Sequence, residues 1–191
     1  MSSSSWPFNR ALHASSRKMG YAKGMQPAPP RPSFSIRPAA PGDEHALLAL
    51  IQALAEYEKL SHAVTGSAEQ LAQDLFQPKP RVEAMLVEAD ERVVAFALYF
   101  HNYSTFLTKF GLYLEDIFVL PEYRGRGIGK ALLSRVAQVA CERGCGRLEW
   151  SVLDWNVSAI GFYQSLGATV LPDWRICRVV GDQMRTLAGR A

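Results

Sequence analysis

The chain has 191 residues, 48% of them hydrophobic and 20% charged, a size and balance that fit one globular domain with a sizeable core. Its longest apolar stretches, residues 46–54 and 93–100, fall well short of the about 18 residues that a bilayer span requires, so no membrane association is expected. The formal charge of +3 is unevenly placed: residues 1–42 hold six basic residues and no acid, leaving 15 of the 21 basic residues against all 18 acidic ones, which argues against nucleic-acid binding by the folded part.

Residues 1–33 are rich in Ser and Pro and lack a periodic apolar face, which predicts a disordered N-terminal extension before a domain over 34–191. The acid-free, Arg- and Ser-containing character fits an organellar transit peptide, and equally a translation start placed too early, with Met19 and Met25 close to the domain. Phe34 and Ile36 begin a short strand. Pro41-Gly42-Asp43 then opens a helix whose Leu47, Leu50, Ile51 and Leu54 follow helical spacing. Ser67 with Gln70 is a capping-box signature for a second helix, ended by Pro78. Residues 82–89 and 92–100 read as a hairpin turning at Asp90-Glu91, and 112–119 as a third long strand.

A glycine-rich turn follows, then a helix carrying Ile128, Leu132, Val136, Val139 and Ala140 and stopping near Gly144. Leu148, Trp150 and Val152 alternate in a strand over 147–153. Asn156 is a helix N-cap, and Gly167 is the glycine expected after that helix's C-terminus. Short strands over 168–171 and 174–180 complete the order β-α-α-β-β-β-α-β-α-β-β, a mixed α/β sheet without internal repeats. The three cysteines, Cys141, Cys145 and Cys177, are odd in number and lack paired metal spacing; they fit a reducing, cytoplasmic setting, with Cys141 and Cys145 as small buried apolar residues. Metal ligation is not expected. His62 and His101 are isolated, and each reads as a structural or surface histidine.

The turn Arg124-Gly125-Arg126-Gly127-Ile128-Gly129 sits between a strand and a helix, where successive N–H groups and a helix N-terminus form an anion cradle. Arg124, Arg126 and Lys130 add positive charge. The pattern is neither Walker-like nor a dinucleotide GxGxxG, so it implies a pyrophosphate held without metal, the alternative being a surface turn that is merely glycine-rich and basic.

Arg-x-x-Gly-x-Gly here, with Asn156-x-x-Ala159-x-x-Phe162-Tyr163-x-x-x-Gly167-Ala168 downstream, resembles the two halves of the acetyl-CoA signature of the GNAT superfamily. The likeness continues through Leu54-Ala-Glu-Tyr57-Glu58-Lys-Leu60, Tyr113-Leu-Glu115-Asp116-Ile-Phe-Val119 and Val152-Leu-Asp-Trp155-Asn156 to the diamine acetyltransferases, most of all their thialysine branch. It implies a GNAT fold, a mostly antiparallel twisted sheet of about seven strands flanked by four helices. It also implies acetyl-CoA as co-substrate, a small-molecule amine as acceptor, and a homodimer.

Acetylation needs a neutral nitrogen, yet an alkylammonium with a pKa of about 10.4 is charged at neutral pH, so a base is required. Glu115 and Asp116 lie inside an apolar strand, where a carboxylate is costly without a partner or a function. In a regular strand they face opposite sides, unless a bulge intervenes. Glu115 is taken as the base acting through water, and Asp116 as a holder of the cationic substrate or of the local backbone; the alternative is that both cap or pair with arginines at the sheet rim. The resemblance assigns Tyr163 as general acid to the departing sulfur, against the plainer reading of a core aromatic. It assigns main-chain contacts with the coenzyme to Ile117, Phe118 and Val119, and further contacts to Arg124, Gly125, Arg126, Gly127, Ile128, Gly129, Lys130, Asn156, Ser158 and Ala159. Tyr57, Glu58 and Trp174 match substrate-side positions, with Glu58 equally readable as a solvated helix residue. Acceptors of another kind, a protein lysine or N-terminus, and a non-catalytic acyl-CoA-binding module remain the competing functions.

Overall fold

The computed structural model describes residues 33–189. The extension expected before the domain lies outside the described residues except for Ser33. Five strands, β1 (Phe34–Pro38), β2 (Glu83–Ala89), β3 (Arg92–Ser104), β4 (Lys109–Val119) and β5 (Leu148–Glu149), lie side by side in chain order. All neighbours are antiparallel except β4 and β5, which are parallel. The β2–β3 turn falls on Asp90 and Glu91, whose φ values of 51° and 58° give the two-residue hairpin turn whose twist suits its strands.

Helices cover both faces of the sheet. On one side α1 (Glu44–Tyr57) and α2 (Ala68–Phe76) set Leu47, Leu50 and Leu75 against Leu86, Phe96, Leu98 and Phe118. On the other, α3 (Ile128–Glu142) packs Leu132, Val136 and Val139 against Val87, Ala95, Ala97 and Leu112. β3 is therefore apolar at every central position, because alternate side chains enter different cores. The two remaining helices are α4 (Val157–Ser165) and α5 (Gly181–Leu187).

Asp43 opens α1 in sequence, but its carboxylate does not cap the helix. It takes the Arg37 guanidinium at 2.6 and 2.9 Å and the Ala40 N–H at 2.7 Å, and Arg37 also reaches Glu88 at 2.8 Å. That fork ties β1 and β2 to the start of α1, and the guanidinium holds Asp43 below the usual carboxylate range.

Among the described residues the sheet has five strands where about seven were expected, and five helices accompany it in place of four. Residues 168–171 and 174–180 form no ladder, since no neighbouring strand lies beside them among the described residues; their apolar side chains stay exposed, as at Leu171, Trp174, Ile176 and Val180. The strand read over 147–153 keeps only Leu148–Glu149, because β4 and β5 pair at two positions and then part. Alternation specifies an extended backbone; it does not supply a partner. Cys141 is exposed and Cys145 only partly buried, correcting the expectation of two buried residues: Cys141 lies on the outward side of α3.

Candidate active site

The glycine turn is built as the sequence predicts. After β4 a short 3-10 turn over Pro121–Tyr123 buries Tyr123, and the chain reverses through Gly125 and Gly127 at φ of 76° and 84°. A residue with a Cβ is strained in that region, which is why glycine stands at both positions. The first helical bond of α3 joins the Ala131 N–H to the Gly127 carbonyl at 3.0 Å, leaving the amides of Ile128, Gly129 and Lys130 without an intrahelical acceptor. Gly127, as N-cap, offers no side chain to cap them. Donors and the positive end of the helix therefore face the same opening.

β4 supplies the second component. Leu98 pairs with Asp116 and Tyr99 with Leu114, so Glu115 is an extra residue, a bulge. Parallel pairing to β5 is confined to Leu112 with Leu148 and Tyr113 with Glu149; beyond Tyr113 the two strands separate. A cavity of about 840 Å³ occupies the wedge, lined by β4 from Tyr113 to Val119 and by residues 150–153. Glu115 and Asp116 both line it, side by side at the bulge.

Asp116 is the more sheltered of the pair. Burial pushes its carboxyl up to about 6, and the charges of Glu115 and Glu58 push in the same direction. Glu58 caps the C-terminus of α1, where Lys59 turns at φ 61° and the Leu60 N–H returns to Ala55 at 2.7 Å; its carboxyl is raised by burial. Tyr163, on α4, is 9% exposed and packs edge-on to Trp150 at 5.1 Å. Burial, then the charges of Glu58 and Asp116, push its phenol up to about 12. Asn156 Oδ1 accepts the Ala159 N–H at 3.2 Å, the N-cap that fixes where α4 begins and so where Tyr163 stands.

Tyr57, Glu58, Glu115, Asp116, Ile117, Phe118, Val119, Arg124, Gly125, Gly127, Ile128, Gly129, Lys130, Asn156, Ser158, Ala159 and Tyr163 all line this one cavity. Two expected residues do not. Arg126 turns outward over the Tyr123 ring at 4.7 Å and toward Asp90 at 3.7 Å. Trp174 stands 73% exposed. Trp150, Ser151, Ile176 and Arg178 line the cavity without having been singled out. The alternation around Trp150 was a usable signal, while nothing near Arg178 marked it.

Residues 48–168 match the model of the Acetyltransferase (GNAT) family. The chain belongs to that family. This GNAT acetyltransferase is 43% identical to the thialysine N-epsilon-acetyltransferase of Bos taurus over 81% of this chain and 97% of the relative. It is 34% identical to an L-ornithine N5-acetyltransferase of Arabidopsis thaliana, over 80% and 86%. Among solved structures, an integron cassette protein of V. cholerae superposes with a TM-score of 0.64 at 27% identity, covering 82% of this chain and 98% of that one. An aminoglycoside acetyltransferase from a soil metagenomic sample reaches 0.66 at 18% identity, over 77% and 95%, a likeness of fold. The GNAT acetyltransferase moves acetyl groups from acetyl-CoA to an amine. Among the described residues no cluster of His, Cys, Asp or Glu could hold a metal ion, and no helix is long and apolar enough to cross a membrane.

Proposed function

We propose that the chain acetylates the primary amine of a small cationic acceptor, a thialysine- or ornithine-like amino acid ahead of a diamine or polyamine. One observation carries this reading: the open amides of the glycine turn, the acids Glu58, Glu115 and Asp116, and Tyr163 line the same cavity. The turn suits a diphosphate, since Gly125 and Gly127 let the backbone approach and the α3 amides lack acceptors. Acetyl-CoA, when bound, supplies the activated thioester. β4 beyond Tyr113 is unpaired on its cavity side, so the main chain of Ile117, Phe118 and Val119 is available to an amide-bearing arm, and the amides that begin α4 at Ser158 and Ala159 to its far end.

Glu58 and Asp116 attract the ammonium. Glu115, exposed on the bulge, takes its proton through water, and a main-chain N–H of the bulge polarises the carbonyl under attack. Tyr163 stays protonated throughout the working pH range, as a donor to the departing sulfur must. A bound ammonium offsets the charges of Glu58 and Asp116 and so eases that donation.

Arg178 supports the amino-acid acceptor. It lines the cavity from the C-terminal segment, is the one lining cation outside the glycine turn and the first turn of α3 among the described residues, and enters none of their ion pairs. A carboxylate on the acceptor would give it a partner; the far ammonium of a polyamine would not. The exposed Leu171, Trp174, Ile176 and Val180 support a homodimer covering that segment, and the unpaired cysteines support a reducing, cytoplasmic setting.

The test is thiol release from acetyl-CoA by full-length protein with thialysine, ornithine, spermidine and a lysine peptide. Turnover is expected with the two amino acids above spermidine. Turnover with the peptide alone would move the acceptor to protein, and coenzyme binding without transfer to any amine would leave a non-catalytic module.

A further inference from the structure

Of the three cations in the glycine turn region, two are already engaged with the protein. Arg126 is turned toward Tyr123 and Asp90, and its Nη2 donates to the Glu122 carbonyl at 3.2 Å. Arg124 is turned the other way, into the acceptor side of the cavity. Its Nε donates to the Val119 carbonyl at 3.0 Å, its guanidinium carbon lies 4.5 Å from the centre of the Tyr57 ring, and Phe118 is 5.5 Å away. The Tyr57 ring also meets Trp155 at 6.2 Å, tilted by 49°. A stack of Phe118, Arg124, Tyr57 and Trp155 thus joins the end of β4, the turn, the end of α1 and the loop before α4.

We infer that Arg124 is a positioning residue of the acceptor site, holding Tyr57 in place as the aromatic wall of the amine pocket, and that the coenzyme's phosphates fall to Lys130 and the main-chain amides of the turn. The inference rests on the proposed acceptor reading of this cavity. Three features carry it. The Nε bond to Val119 fixes the plane of the guanidinium, so its face is committed to the ring. A guanidinium is weakly hydrated and stacks readily, whereas an ammonium has neither a plane nor an Nε donor. Lys130 enters no ion pair or side-chain hydrogen bond among the described residues, yet it lines the cavity in the first turn of α3.

Arg124 covers a face of the Tyr57 ring, so the substrate's ammonium is left to Glu58 and Asp116 while Tyr57 acts as a packing surface.

Arg124→Lys and Arg124→Ala, beside Lys130→Ala, separate the roles in the full-length protein. Calorimetry gives the acetyl-CoA Kd; steady-state turnover gives kcat and the amine KM with thialysine. Arg124→Lys should raise the amine KM about two- to fivefold, the worth of an exposed cation–π contact, with the coenzyme Kd within about twofold. Lys130→Ala should weaken coenzyme binding instead. A coenzyme Kd that rises in Arg124→Lys as far as in Lys130→Ala, with the amine KM at the wild-type value, overturns the inference. If no amine is acetylated, the functional reading fails and the stack is tested by melting alone: combining Arg124→Lys with Tyr57→Leu should cost no more Tm than the larger single loss. Additive losses would mean that the two side chains do not act together.

Discussion

Asp116→Asn separates function from stability at one residue. The carboxyl rises from 3.8 to about 6, chiefly because burial disfavours its charge. Its folded pKa lies above its unfolded one, so the folded state binds the proton more tightly and loses stability as pH rises between the two values. The penalty is absent below about pH 4, grows through 4 to 6, and is complete above. At about 1.4 kcal/mol per unit, the variant should gain up to about 3 kcal/mol at pH 7.5, or about 5–10 °C in Tm. At pH 4 it should gain almost nothing. Amine binding should move the other way: wild-type Asp116 is about nine-tenths ionised at pH 7 and about one-tenth at pH 5, so affinity for a permanently charged amine should fall about ninefold on acidification. The variant should bind weakly at both pH values. Thermal melts of both proteins at pH 4 and 7.5, with amine titrations into their CoA complexes by calorimetry, provide the check. An Asn variant less stable than wild type at pH 7.5, or a difference independent of pH, refutes the reasoning.

Tyr163→Phe should lower kcat by about 10²-fold while leaving the acetyl-CoA Kd near wild type, since the ring still packs on Trp150; calorimetry beside turnover checks both. Glu115→Gln should reduce kcat by a similar factor and leave the low-pH loss of amine affinity in place, whereas the reverse pattern in pH titrations would exchange its role with that of Asp116. Gly111→Ala should destabilise the protein by about 1–3 kcal/mol in urea melts, because the new Cβ would lie 2.3 Å from the buried Asn102 Oδ1 and 3.3 Å from the Arg147 carbonyl, where β4 meets β5.

What the sequence makes legible is what local chemistry determines. The hairpin turn at Asp90-Glu91, the Ser67 cap of α2, accepting the Gln70 N–H at 3.3 Å, and the Asn156 cap of α4 each needed only neighbouring residues. The glycine turn was legible for the same reason, as was the possibility of a bulge near Glu115. Partners distant in sequence were not legible. Residues 168–180 carry strand-like alternation and yet pair with nothing described, because a ladder depends on where another strand happens to lie. Arg124 and Arg126 look alike beside their glycines; only the fold brings Tyr57 to one and Asp90 to the other.

The cavity exists because the sheet gives up pairing at one place. Had β5 continued beside β4 beyond Glu149, the ladder would have filled the wedge, satisfying the β4 edge and leaving no room for an amide-bearing arm. Two short-range features keep it open. The bulge at Glu115 interrupts the β4 ladder and adds a second acid to the lining beside Asp116, raising the cost of burying this edge against another strand. The cap at Asn156 starts α4 only a few residues after β5 ends, so α4 enters the gap and brings Tyr163 to the acids. Both features carry the catalytic groups as well as the opening, so straightening β4 by deleting Glu115 should remove more than a carboxylate. The pair Glu115→Gln and Glu115 deletion tests this: coenzyme affinity should survive the first and fall in the second.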